Sequence, residues 1–211
     1  MAQANVGGIG GWVIDIINRV GEPGVGALIA LENIVPPIPS EVILPFAGFA
    51  AARGDLNVVL AWVAATIGAL VGAYVLYAVG ALISYERLRH LASRRWFILV
   101  STSDLDRGER VFERHGAKMV LFGRCIPLVR SVVSVPAGLE RMPLWKFTAL
   151  TLLGSGVWNA IFIFAGYQLG DRYDQVATWL QPISYAVVAI LALGLLWLIA
   201  RRLRRRSGAP A

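Results

Sequence analysis

The chain has 211 residues, 57% of them apolar, and its 20 Lys and Arg outweigh 13 Asp and Glu to give a formal charge of +7. The apolar residues come in long blocks instead of short amphipathic periods, which excludes an ordinary soluble domain and marks an all-α integral membrane protein. The basic residues sit between and after those blocks, so no basic face is built and nucleic acid is excluded as a partner.

Residues 1–23 form an N-terminal amphipathic segment. It lacks a basic n-region and a sustained apolar core, so no cleaved signal peptide is expected. Residues 24–54 follow as an apolar run, "GVGALIALENIV", that meets "PPIP" and resumes as "SEVILPFAGFAAARG". Proline removes a backbone donor and clashes with the preceding turn, so Pro36, Pro37 and Pro39 are predicted to end one helical segment, with Ser40 capping the next. Residues 56–83 hold no charge and reach roughly 40 Å as a helix, enough for one tilted span of a ~30 Å hydrocarbon core.

A charged loop occupies residues 84–116. Within it "DLDRGERVFERHG" interleaves acids and bases at helical spacing, with Val111 and Phe112 on another side, predicting an interfacial helix that ends near His115. No chemistry is assigned to His90. Residues 117–140, "AKMVLFGRCIPLVRSVVSVPAGLE", repeat the earlier design, with Pro127 and Pro136 as helix breaks. Residues 144–170 carry only Lys146 and predict a second span; residues 182–204, uncharged as far as 200, predict a third, before a basic tail at 205–211.

Each broken stretch leads into a long span through a similar motif. "LPFAG" at 44–48 matches "SVPAG" at 134–138, and glycines follow twelve residues apart, Gly68 and Gly80 in one span, Gly154 and Gly166 in the other. The chain reads as a duplicated unit of re-entrant helical hairpin plus transmembrane helix, with one additional C-terminal helix. Small residues, Gly68 and Gly72 in a GxxxG and Gly154, Ser155 and Gly156, predict close packing of the two long helices. Eight of the 20 Lys and Arg lie in residues 85–118 and five in 201–206, which the positive-inside rule places in the cytoplasm. The two units then run in opposite directions, an inverted repeat with a cytoplasmic C-terminus.

Charge at membrane depth is concentrated at the two breaks. Glu32 and Glu41 flank the first; Arg124 and Arg130 flank the second. Each costs a few kcal/mol at the bilayer centre, about 2.5–3.5 for an arginine. One explanation is structural, two Glu–Arg pairs that neutralise each other and tie the hairpins together. The other is functional. An arginine fork offers planar bidentate donors suited to phosphate, so Arg124 and Arg130 would bind an anionic headgroup, while Glu32 and Glu41 exchange protons as access changes. Cys125 has no partner for an internal disulfide and is given a packing role; neither CxxC nor HExxH occurs, so no metal or cofactor is expected.

The segments "LENIVPPIPSEVILPFAG", "FERHGAKMVLFGRCIPLVRSVVSVPAGLERMPLWKF" and "GSGVWNAIFIFAGYQLG" resemble the DedA family of bacterial membrane proteins, whose VTT domain is shared with the eukaryotic SNARE-associated Golgi proteins. The resemblance covers residues 24–172. It implies two re-entrant hairpins in the bacterial inner membrane and a role in moving lipids between leaflets, either undecaprenyl phosphate or phospholipids, with proton coupling in some members. It also implies that the family's essential acids fall on Glu32 and Glu41 and its essential arginines on Arg124 and Arg130. Where other members place an aspartate after a longer proline segment, this chain has Glu41.

The expected function is therefore a transporter of a phosphate-bearing lipid, with membrane lipids and protons as partners and a homo-oligomer allowed. A transporter of a small ion or solute and a non-transporting scaffold are the alternatives. An enzyme is not expected, because neither histidine lies near Arg124 or Arg130 and no nucleophile and base pair off.

Overall fold

The computed structural model describes residues 9–34, 40–83, 102–126 and 129–170, and these form eight helices with no strand among them. In order they are α1 (Ile9–Val20), α2 (Glu22–Ile34), α3 (Ser40–Ala52), α4 (Val58–Leu82), α5 (Thr102–Gly123), α6 (Val129–Val132), α7 (Ser134–Leu139) and α8 (Leu144–Leu169). Pro36, Pro37, Pro39, Pro127 and His90 lie outside the described residues, as do the expected C-terminal helix at 182–204 and the tail. The helices on either side of the prolines stop at Ile34 and Gly123 and restart at Ser40 and Val129.

The uncharged stretches become α4 and α8, 25 and 26 residues long, which at 1.5 Å per residue reach about 37 and 39 Å and exceed the ~30 Å core. Asn57 starts α4 by accepting from the N–H groups of Val59 and Leu60, while its own N–H donates to the Glu22 carboxylate at 2.8 Å. That bond holds Glu22 below the usual carboxylate range and ties the start of α2 to the start of α4. Gly21, with φ at +71°, makes the turn from α1 to α2, where a side chain would be strained.

Both long helices are inside out by the standards of a soluble protein. On α4 the buried face is Ala61, Ala65, Gly68, Ala69, Gly72 and Ala73, whereas Leu60, Ile67 and Val71 are more than half or half exposed; on α8, Leu153, Ile161 and Phe164 point outward in the same way. Large apolar side chains outside and small ones inside suit hydrocarbon, where close backbone approach drives helix association.

The glycines show which backbones touch. A Cβ on Gly48 would lie 2.0 Å from the Ile163 carbonyl oxygen, and one on Gly166 2.0 Å from that of Pro45, so α3 lies directly on α8. A Cβ on Gly138 would lie 2.0 Å from the Tyr77 oxygen and one on Gly80 2.1 Å from that of Val135, so α7 lies on α4. Each "PFAG" or "VPAG" motif thus offers a glycine and the carbonyl three residues before it to the long helix of the other half. Within each half, α2 lies on α4 through Gly26 and Gly68, and α5 lies on α8 through Leu121 and Gly154.

This corrects the packing expected of the small residues. Gly68 and Gly72 face α2, at Gly26 and Ala30, and Gly154 faces α5; of these glycines only Gly156 meets the other long helix, next to Trp62 and Thr66. The long helices contact each other through polar groups instead: Trp62 Nε1 donates to the Gly156 oxygen at 2.8 Å, Asn159 Nδ2 to Thr66 Oγ1 at 3.3 Å, and the Tyr74 and Thr148 hydroxyls are hydrogen-bonded.

Local expectations also change at the loop helix, at Ser40 and at Pro136. The loop helix does not end at His115: α5 runs on to Gly123 because Phe112, Gly116 and Val120 form one buried face at four-residue spacing, leaving His115 and Val111 exposed. Ser40 is the first residue of α3, and its hydroxyl accepts from Arg130. Cys125 is half-buried. Pro136 lies within α7, where it has no N–H for the Val132 carbonyl; α6 and α7 meet at Val133, with Val133 N–H bonded to Val129 and Ala137 N–H to Val133.

Candidate functional site

The last turns of α2 carry Glu32 and Asn33 inward, both buried, and the chain that follows α5 carries Arg124 and Arg130 to meet them. Arg130 donates from Nη2 to both Glu32 and Ser40, so a single guanidinium joins α6 to α2 and to α3. Arg130 and Glu32 are 7% and 6% exposed, a buried ion pair whose rupture would leave a lone charge. Beside it Ser131 Oγ donates to Asn33 Oδ1 at 2.9 Å, and Asn33 Nδ2 donates to the Ala69 oxygen at 2.7 Å, which anchors the end of α2 to α4.

Arg124 has a different environment. It is 1% exposed, and among the described residues no carboxylate pairs with it. Its Nη2 donates to Ser134 Oγ at 2.8 Å and Thr151 Oγ1 at 3.3 Å, and its guanidinium carbon lies 5.6 Å from the centre of the Phe147 ring. Its Nε and Nη1 are buried without a partner. Hydroxyls and a ring orient this cation without neutralising it.

The two arginines, Glu32, Asn33, Asn159 and Trp158 line one narrow cavity between α2, α4, α8 and the arginine-bearing segment, with room for about one water molecule. Three of the four predicted site residues are thus brought together. The fourth, Glu41, is half-buried in the first turn of α3, does not line the cavity and makes no ion pair among the described residues. Two symmetrical Glu–Arg pairs are not formed.

Ser134, Thr151, Asn33, Asn159 and Trp158 were not singled out from the sequence. The available signal was an amide or hydroxyl inside an otherwise apolar helix, as with Asn159 in "GVWNAIF". No grouping of His, Cys, Asp and Glu suited to a metal occurs among the described residues.

The VTT domain family model matches residues 38–168. The chain is 43% identical over 196 residues to an alkaline phosphatase-like protein of Lactococcus lactis subsp. cremoris, covering 90% of this chain and 92% of the relative. It is 32% identical over 197 residues to undecaprenyl phosphate transporter A of Staphylococcus aureus, covering 92% and 97%. To protein DedA of Escherichia coli it is 31% identical over 139 residues, covering 65% and 62%. No solved structure matches significantly. With residues 38–168 matched, well over half of its length, the chain belongs to the VTT domain family of membrane proteins, that of the DedA proteins.

Proposed function

We propose that the protein moves a phosphate-bearing lipid, undecaprenyl phosphate or a phospholipid, between the leaflets of a bacterial inner membrane. The observation that carries the reading is Arg124, a buried guanidinium with no carboxylate and two nitrogens, Nε and Nη1, without an acceptor, in a cavity it shares with a second arginine. A permanently charged planar donor kept without a counterion is costly unless a bound anion supplies the compensation. The name of the Staphylococcus aureus relative supports a lipid phosphate as that anion.

The cavity is smaller than a phosphate group, so binding requires the surrounding helices to part. The hairpins α2–α3 and α5–α7, read as re-entrant from opposite faces with the C-terminus cytoplasmic, are the elements that would move, and the matching glycine contacts of the two halves support that inverted arrangement. Glu32 supplies the coupling. While ionised it occupies Arg130; once protonated it releases Arg130 to join Arg124 on the phosphate. Glu41, without a cation of its own, would take or give up the proton near the start of α3.

The relative named alkaline phosphatase-like raises an enzyme reading, but the cavity lining holds no nucleophile with a base beside it, and His115 is exposed on α5. The deciding experiment uses vesicles containing the purified protein, with transbilayer movement of labelled undecaprenyl phosphate compared with a labelled phospholipid. Arg124→Lys keeps the charge and loses the fork, so it should fold and lose transport. Full transport in that variant would sink the phosphate reading.

A further inference from the structure

Two tryptophans face the contact between the long helices, and they are treated differently. Trp62 Nε1 donates to the Gly156 oxygen at 2.8 Å. Trp158 Nε1 is buried and has no partner. A buried indole N–H ordinarily finds an acceptor, and indole can only donate, so the missing group is an acceptor. The Trp158 ring is held by Phe162, with centroids 4.7 Å apart, and lines the same cavity as Arg124, whose Nε and Nη1 are the other buried nitrogens left without partners. All three orphan atoms among the described residues are donors. The nearby amide oxygens do not meet the need: Asn33 Oδ1 accepts from Ser131, and neither it nor the oxygen of Asn159 accepts from any of the three orphan nitrogens. One water oxygen has two lone pairs for three donors; the oxygens of one phosphate have enough for all.

We propose that Trp158 is an anion ligand, its indole N–H acting with Arg124 Nε and Nη1 on the oxygens of one phosphate group. The proposal rests on the lipid-phosphate reading above and names a further residue of that site. Trp158→Phe removes the N–H and keeps a ring against Phe162. Binding is measured calorimetrically with decyl phosphate as the probe, using full-length protein in an uncharged detergent. Loss of one hydrogen bond to a charged group predicts affinity about 10- to 100-fold weaker than wild type, with the melting temperature of the unliganded variant unchanged. Wild-type affinity in Trp158→Phe, alongside lost binding in Arg124→Lys, would overturn the role of Trp158 and leave the phosphate reading in place. No binding to the wild type would overturn both.

Should Trp158→Phe fail to fold, indole-¹⁵N labelling of the wild type gives a second readout. The chain has seven tryptophans, and one indole N–H resonance should move downfield as decyl phosphate is added. A titration that binds the probe and moves none of the seven overturns the proposal.

Discussion

Replacing Gly166 by alanine tests the crossed packing of the two halves directly. The added Cβ would sit 2.0 Å from the Pro45 oxygen and 2.6 Å from two more backbone atoms of the same residue, where ordinary contact begins at about 3.4 Å. Neither partner is a flexible side-chain end, so α3 and α8 must separate by about 1.4 Å at this point. A gap of 0.5–1 Å already forfeits a quarter to a half of each dispersion contact along an interface. Overpacking of this kind costs about 1–3 kcal/mol, and a clash with backbone belongs at the upper end. At about 2–4 °C per kcal/mol for a chain of this size, thermal unfolding of the purified variant in detergent should fall by roughly 5–10 °C. The double variants carry the sharper test. Gly48→Ala acts on the same interface, so once α3 has moved for Gly166→Ala the second substitution should add much less than its own cost. Gly80→Ala acts on the α4–α7 interface and should add in full. A Gly166→Ala variant melting within about 1 °C of wild type, or the two doubles behaving alike, would refute the close approach of α3 to α8.

The buried pair gives a second expectation. Glu32→Gln or Arg130→Gln alone should destabilise by about 3–5 kcal/mol, and the double substitution should recover most of it, measured by the same thermal unfolding. Transport by Glu32→Gln and Glu41→Gln should lose its pH dependence in proteoliposomes; unchanged dependence in both removes the coupling role of the acids. Glu22 has a folded-state pKa lowered by the Asn57 N–H, so its contribution is present at neutral pH and disappears as pH falls through the carboxylate range below about 4.5. Glu22→Gln should therefore flatten the acid limb of a stability profile while leaving its alkaline side unchanged.

Much of this architecture is legible in the sequence because a bilayer leaves the backbone few choices. An uncharged run such as 56–83 has no way to satisfy its peptide groups in hydrocarbon except as a helix. Arg124 and Arg130 stand out for a similar reason, since charge in an apolar run needs an explanation. Their partners do not stand out: a hydroxyl such as Thr151 or Ser134 is cheap inside a helix and resembles any other surface residue until a guanidinium reaches it. The glycine pattern announces close approach but not the partner, and Gly68 meeting Gly26 instead of the other long helix is a tertiary fact with no local trace. The continuation of α5 past His115 is legible only in the four-residue spacing of Phe112, Gly116 and Val120, which the alternating charges around them obscure.

The crossed contacts also set the order in which the chain can be completed. Gly48 waits for Ile163 and Gly166, more than a hundred residues further along, which at 5–20 residues per second is roughly 6–24 s of synthesis. Over most of that interval Glu32 has been made and its partner Arg130 has not. The first half therefore spends its early life with an uncompensated acid and an uncovered glycine face.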